Sequence, residues 1–522
     1  MILTTLSLFP RSMSPSTTFP SAKWASILSK FEPGNVQVLV ASVPIYGHFE
    51  KLRVIAADLV QRGYQVSFIT GSVFRESVEK IGARFVALEG EADFDASDMS
   101  KLWPERELLP AGPEQLCWDM KHVFINRMAD QYWTVQHFLA GAYSHRAGPV
   151  IMAQDTLFLG AIPVLLGAPG MQPAAVISIG ITPIVLSSID TAPFNSGLPP
   201  DSSEEGRIRN IAMRENFRQM LSGPQDFWVQ SLKQLKATNT SGFFLDLLVT
   251  LPDRYLQLSI EELEYPRSDA PDSLKFVGAL PPGKREVTAL PSWWNTVAEH
   301  EKALVVVSQG TASNDPKNLI IPTLEALKDL DVVVVATLVR GDHIEGYELP
   351  TNVLTAKFIP FDELFKHTDV VVSNGGYGTI QQAFSTGVPM VLAGMSEDKP
   401  EACARAAWTG AAINLATNQP TPSQVRAAVE KVLDMPRYKA RALELQTQYL
   451  KTDCFGDIAA TINELALAPR KRNTGYRHHF RRAPGEARRW GPLYWAPLTQ
   501  TRAMPEVERE QQLRSQEYSM RP

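Results

Sequence analysis

From residue 35 onward, short apolar runs alternate with stretches whose apolar residues recur at helical spacing. Val36-Gln37-Val38-Leu39-Val40-Ala41-Ser42 reads as a buried strand, Leu52 to Val60 as a helix, and Gln65 to Thr70 as a second strand. Strand, helix and strand in that order predict a parallel sheet, because parallel neighbours need a crossover that a helix supplies. Further strands are expected near Arg84–Leu88, Pro149–Ala153 and Ala174–Ser178, which makes the first half doubly wound. A polar, proline-rich stretch from Thr191 to about Ser241, with a helical patch at Arg207 to Leu221, breaks the alternation; it either shapes a cleft or runs as a surface excursion.

Pro281-Pro282-Gly283-Lys284-Arg285-Glu286 has the composition of a linker, and beyond it the alternation resumes. Strands are predicted at Ala303–Ser308, Val332–Thr337, Val353–Ala356, Asp369–Ser373 and Pro389–Leu392, and helical sequence runs from Ser423 to about Ala466. The organising stretch is Ser373-Asn374-Gly375-Gly376-Tyr377-Gly378-Thr379, a glycine-rich turn feeding a helix N-terminus. Glycines let backbone approach a ligand closely, and the first-turn N–H groups with the positive helix end favour an anion such as a phosphate.

Composition narrows the field. The 522 residues suffice for two domains, and 51 Lys and Arg against 56 Asp and Glu leave a net charge of −5, so no basic field points to nucleic acid. Cys117, Cys403 and Cys454 lie far apart and form neither a disulfide framework nor a zinc-ligand spacing, which fits a reducing, cytoplasmic setting. No run of 18 apolar residues occurs, so no membrane span is expected. No G-x-G-x-x-G follows the first strand, which counts against a nicotinamide-dependent dehydrogenase.

The order of segments around the turn is informative: Phe358-Ile359-Pro360-Phe361-Asp362-Glu363-Leu364 before it, Gly387-Val388-Pro389 and Glu397-Asp398-Lys399-Pro400-Glu401-Ala402 after it. This order resembles the donor-binding signature of the family 1 glycosyltransferases, a group that includes plant and bacterial natural-product glycosyltransferases. The resemblance spans roughly Val36 to Ala466 and is strongest in the second half. It implies a GT-B fold, two doubly wound Rossmann-like α/β domains facing each other across a cleft, that binds a nucleotide-sugar as co-substrate without a further cofactor. Carried over by residue, it assigns Phe358 to nucleobase stacking, Gly376, Gly378 and Thr379 to the diphosphate, and Asp398 and Lys399 to the sugar hydroxyls. Ser308, Gly310 and Thr311 resemble a second donor-binding turn. Three positions depart from the pattern: Asn374 replaces a phosphate-contacting histidine, Gln382 a ribose-binding glutamate, and Lys399 a glutamine.

Sugar transfer to a hydroxyl requires a base, and histidine titrates in the suitable range. His48 is the candidate: it follows the first strand at the carboxyl edge of the sheet, where open α/β folds place ligands, and Gly47-His48 matches the family's Gly-His. Asp155, after the strand Pro149–Ala153, either orients that imidazole or caps a helix beginning near Leu157. Two Asp-x-Asp patterns, Asp93-Phe94-Asp95 and Asp329-Leu330-Asp331, are not taken as metal sites; the second precedes its strand and so lies at the wrong edge.

The expectation is therefore a metal-independent, inverting glycosyltransferase that uses a nucleotide diphosphate sugar, UDP-sugar favoured, and a small lipophilic acceptor. An epimerase or hydrolase on the same architecture, or a non-catalytic nucleotide-sugar-binding partner protein, are the alternatives. The expected organisation is a disordered leader at 1–34, an acceptor-binding domain at 35–282, a nucleotide-sugar-binding domain at 290–445, a helix at 446–468 that the resemblance returns to the first domain, and a basic disordered tail at 469–522. Residues 470–489 of that tail carry eight Arg or Lys against one acid, Glu486.

Overall fold

The structure, a computed structural model, describes residues 36–467 apart from 111, 145–148, 282–289, 300, 311–314, 339–342 and 358. The expected leader and basic tail, most of the linker, Thr311 and Phe358 lie outside the described residues.

Two wholly parallel sheets carry the architecture. The first contains β1 (Gln37–Ala41), β2 (Gln65–Thr70), β3 (Arg84–Ala87), β4 (Val150–Asp155), β5 (Ala175–Gly180), β6 (Arg254–Gln257) and β7 (Leu274–Phe276), in the order β3-β2-β1-β4-β5-β6-β7. The second contains β8 (Ala303–Ser308), β9 (Val332–Thr337), β10 (Val353–Ala356), β11 (Val370–Ser373), β12 (Met390–Leu392) and β13 (Ala412–Asn414), in the order β10-β9-β8-β11-β12-β13. Strands of such sheets are near-continuous apolar runs because helices cover both faces. In β1, Leu39 joins one core with Met152 and Val176, while Val38 and Val40 join another with Ile151 and Ile177.

In both sheets the strand order reverses direction beside the first strand, at β1/β4 and at β8/β11, and a crevice opens there at the carboxyl ends. Register brings the ends level: Ala41 pairs with Gln154, and Ser308 pairs with Ser373. The loops after these four strands therefore meet in pairs, and both pairs contain the predicted site residues.

The helix after β1 runs Tyr46–Gln61 and buries Phe49, Leu52, Ile55, Ala56 and Leu59, three and four apart. It begins six residues before the predicted Leu52, since exposed Tyr46 and glycine at 47 carry no apolar period. His48 thus sits in the first turn of a helix and not on a loop. The helix stops at Gly63, whose φ of 89° is open to glycine; Tyr64 N–H returns to Leu59 O at 3.1 Å and Gly63 N–H to Val60 O at 2.9 Å.

The polar stretch near Thr191–Ser241 folds as helices Glu204–Met220 and Ser222–Gln234. The helical C-terminal sequence divides into Pro422–Asp434, Pro436–Tyr449 and Cys454–Leu467. The last buries Cys454, Ile458, Ile462 and Leu465 in the core beneath β1 and β4. Tyr64 donates to Asn463 at 2.5 Å and Arg254 pairs with Glu464 at 2.7 Å, so the chain ends its described course on the first sheet.

Candidate active site

His48 and Asp155 meet at the first crevice. The His48 Nδ1 lies 3.1 Å from Asp155 Oδ1; the His48 side chain keeps 14% of its surface while that of Asp155 is fully buried at 0%. The carboxylate also accepts from Val43 N–H at 2.8 Å through Oδ2 and from Leu157 N–H at 2.7 Å through Oδ1. Two backbone donors from different loops therefore fix the plane of the carboxylate, and the third bond fixes the imidazole. With Nδ1 bonded as a donor, Nε2 is the nitrogen left to take a proton. The alternative role of Asp155 as a cap of a helix near Leu157 is corrected: residues 156–161 form turns, and the next helix is the short Ile162–Leu165. The Leu157 contact is an Asx-turn, and Pro163, tolerated in the first turn of that short helix, would be unfavourable in the interior of one that began near Leu157.

At the second crevice, β11 ends in Ser373, Asn374 to Gly376 turn the chain, and the helix Tyr377–Ser385 begins with Gly376 as its N-cap. Gly375 has φ 81°, and a Cβ there would sit 2.1 Å from Cys403 Sγ, so this position needs glycine twice over. Asn374 donates its side-chain amide to the carbonyl of Gln309, which joins this turn to the one after β8. Ser308 closes that second turn by accepting from Gly310 N–H at 3.4 Å, and Gly310 has φ 69°. Ser308, Gly310, Asn374, Gly376, Gly378 and Thr379 thus share one crevice; the partly exposed Gln382 lies one turn into the helix.

Asp398 and Lys399 open the helix Lys399–Trp408. Glu397 before them adopts φ 56°, an uncommon conformation for a non-glycine residue that turns the chain into the cleft. Its carbonyl accepts from Asn195 Nδ2 at 2.8 Å, so the polar segment of the first half reaches the loop before this helix of the second. The Lys399 ammonium pairs with Glu397. Burial pushes the half-buried Asp398 carboxyl above its ordinary value; the Lys399 charge pulls it down, the Glu397 charge pushes it up, and His48, across the cleft, has a smaller lowering effect. Asp398 and His48 are therefore in electrostatic reach of each other although they belong to different sheets.

Comparison with known proteins fits this geometry. Residues 322–465 match the family model "Erythromycin biosynthesis protein CIII-like, C-terminal domain". "UDP-glycosyltransferase 2" of Phaeomoniella chlamydospora is 54% identical over 438 residues, 83% of this chain and 96% of that protein. The chain belongs to the family 1 UDP-glycosyltransferases. "UDP-glucosyltransferase avaP" of Aspergillus versicolor is 39% identical over 447 residues, covering 83% of this chain and 98% of the relative. The crystal structure of the glycotransferase of kitacinnamycin superposes with a TM-score of 0.61 at 21% identity, over 82% of this chain and 98% of that one, and shares the GT-B fold.

This glycosyltransferase ties its two sheets together through a buried polar cluster that the sequence did not reveal. Tyr377, inside the glycine turn, donates to Glu264 at 2.7 Å and accepts from Gln257 Nε2 at 3.2 Å. Arg405 pairs with Glu264 at 2.8 Å and with Glu401, and its guanidinium lies 4.4 Å above the Tyr265 ring. Burial opposes the Arg405 charge, but Glu264 and Glu401 more than offset it and hold its pKa above the ordinary value. Burial and the Glu264 charge hold the Tyr377 hydroxyl well above its own, so it stays a neutral donor. The signal was faint: one tyrosine in a motif and one glutamate 113 positions away.

The Asp-x-Asp carboxylates are committed elsewhere. Asp93 accepts from Ser72 N–H at 2.7 Å, and Asp95 accepts from Ser97 N–H at 2.9 Å. Asp329 pairs with Arg426 at 2.6 Å, while Asp331 pairs with Lys302 at 2.6 Å, both at the amino edge of their strands. Among the described residues no group of three His, Cys, Asp or Glu side chains is placed to hold a metal ion, and no helix is long and apolar enough to cross a membrane.

Proposed function

We propose that this glycosyltransferase moves a hexose from a UDP-sugar to a hydroxyl of a small lipophilic acceptor, with inversion at the anomeric carbon and without a metal ion. The observation that carries the proposal is the His48–Asp155 pair at 3.1 Å, on the crevice facing the glycine turn. In this reading His48 Nε2 takes the acceptor proton as the acceptor oxygen attacks, and Asp155 holds the imidazole and stabilises the imidazolium. UDP is favoured because two relatives carry it in their names. Gly376, Gly378 and Thr379 would receive the diphosphate at the helix end, Ser308, Gly310, Asn374 and Gln382 would line the nucleotide, and Asp398 with Lys399 would bind sugar hydroxyls.

A lipophilic acceptor fits the first half of the cleft. An open depression of about 460 Å³ in the first half of the chain is bordered by Leu109, Cys117, Trp118, His122, Met220 and Pro224, mostly apolar surface with Glu114 and Lys121 also in its lining. Trp118 stacks on His122 at 4.8 Å between ring centres, and the Phe124 ring two residues on lies 6.4 Å from that of His48. The three free cysteines, two of them buried, fit a cytoplasmic reaction.

The test is to incubate the protein with UDP-glucose and a panel of hydrophobic phenols and alcohols, and to read the anomeric configuration of the product by NMR. UDP-glucose is α-linked, so a β-glucoside is expected. An α-glucoside, or turnover of donor with no requirement for the alcohol, would overturn the proposal.

A further inference from the structure

Between β5 and the helix Glu204–Met220 the chain makes a loop at 190–201 whose two ends are pinned together, the defining trait of an Ω-loop. Asp201 N–H donates to Asp190 O at 2.9 Å. The buried Asn210 amide, on the helix that follows, donates to Ile189 O at 3.0 Å and to Asp201 O at 3.2 Å, and so clasps both ends. Ser188 Oγ and Ile189 N–H also donate to Asp269, at 2.6 and 3.0 Å. A loop with so firm a base presents its tip in a defined place.

That tip meets the second half of the chain. Asn195 has φ 69°, a conformation that asparagine tolerates better than most side chains, and its Nδ2 donates to the carbonyl of Glu397 at 2.8 Å. The carbonyl can only accept, so the amide nitrogen is the atom that faces it. Gly197 N–H donates to Glu401 Oε2 at 3.4 Å. Glu401 is itself buried, with its other oxygen on Arg405 at 2.5 Å, which makes it a fixed anchor. The two contacts fall on either side of Asp398 and Lys399. Glu397, at φ 56°, is in a conformation that its surroundings must hold.

We propose that Asn195 is a positioning residue for sugar recognition: through the Glu397 carbonyl it holds Asp398 where that carboxylate meets the sugar of the donor. This rests on the assignment of Asp398 and Lys399 to the sugar hydroxyls in the proposed function. The Glu397 oxygen lies in the same rigid peptide plane as the Asp398 nitrogen, so fixing that oxygen fixes the plane from which the Asp398 side chain departs. Hydrogen bonds weaken steeply with misalignment, and a small rotation of that plane misdirects the carboxylate. The first half of the chain thereby helps to set a selectivity that residues of the second half carry out, and the polar stretch after Thr191 shapes the cleft.

The experiment is calorimetric titration of UDP and of UDP-glucose, without acceptor, into the full chain and its Asn195→Gly, Asn195→Asp and Asp398→Ala variants and the Asn195→Gly/Asp398→Ala double variant. Melting temperature serves as the folding control. Glycine keeps the backbone conformation and removes the bond; aspartate keeps the shape and turns an acceptor toward the carbonyl. Asn195→Gly should weaken UDP-glucose about 3–10-fold, the range that one neutral hydrogen bond commands, and leave UDP unchanged. Asn195→Asp should lose at least as much. In the double variant the loss should fall well short of the product of the two single losses, because Asn195 acts through Asp398. UDP-glucose affinity unchanged in Asn195→Gly, equal loss for UDP and UDP-glucose, or losses that multiply in full would overturn the role of Asn195 while leaving that of Asp398 intact. An Asp398→Ala variant that binds UDP-glucose as well as the unsubstituted protein does would overturn both.

Discussion

Replacing Asp155 by asparagine puts the proposed His48–Asp155 pair under the most informative strain, and its consequences can be counted from the contacts. The carboxylate is an acceptor at both oxygens: Oδ2 for Val43 N–H, and Oδ1 for Leu157 N–H and His48 Nδ1. An amide has one accepting oxygen, so either orientation turns its NH₂ against a backbone N–H. With nitrogen toward Val43, that N–H is orphaned; with nitrogen toward Leu157, that N–H is orphaned and His48 must offer the lone pair of Nδ1. A buried donor left unsatisfied costs about 1–3 kcal/mol, so the variant should melt lower yet still fold. The second orientation puts the proton on Nε2, the nitrogen that has to receive one, and the first leaves a neutral partner that stabilises imidazolium poorly. Turnover should therefore fall by about 10²–10⁴-fold, the usual range for general acid–base catalysis, at a temperature where the variant is folded. The assay is product formation at saturating UDP-glucose alongside thermal unfolding. A lower melting temperature with turnover within about threefold of the unsubstituted protein would make Asp155 a structural acceptor only and refute the pairing.

Three further outcomes follow from the donor side. Asp398→Ala should weaken UDP-glucose but leave UDP nearly unchanged, because the lost hydrogen bonds to a charged acceptor, worth about 1.5–3 kcal/mol, concern the sugar; equal loss for both ligands would remove Asp398 from the sugar site. Gly375→Ala should damage donor binding and stability together, since the new Cβ would meet Cys403 Sγ at 2.1 Å in a backbone at φ 81°; an unchanged melting temperature would show that the turn has room to move. Turnover should survive EDTA, because the Asp-x-Asp carboxylates are held by Ser72, Ser97, Arg426 and Lys302; loss on chelation with recovery on adding magnesium or manganese would contradict this.

The parallel sheets were legible because their longer strands, such as Ala303–Ser308 and Val332–Thr337, are continuous apolar runs, which burial on both faces demands. β6, β7 and β13 escaped notice: Arg254–Gln257, Leu274–Phe276 and Ala412–Asn414 are three or four residues long and partly polar, held in place by neighbours and not by their own pattern. The start of the helix at Tyr46 was hidden for a related reason, since Phe49 is the one buried residue of its first turn and Tyr46 is exposed. His48 and Asp155 could be singled out because each follows a strand at the carboxyl edge of the sheet and because both positions resemble the family's pattern. Tyr377 and Glu264 could not, because their significance lies in contacts between the two sheets. Local sequence encodes which face of an element is apolar; it does not encode what a polar side chain meets from another domain.

The central claim is that His48 removes the acceptor proton, and His48→Ala tests it most directly. UDP binding, measured by calorimetry, should stay within about threefold of the unsubstituted protein, while transfer from UDP-glucose in a single turnover falls about 10²–10⁴-fold. Transfer at the unsubstituted rate, or a loss of UDP affinity matching the loss of transfer, would contradict the account.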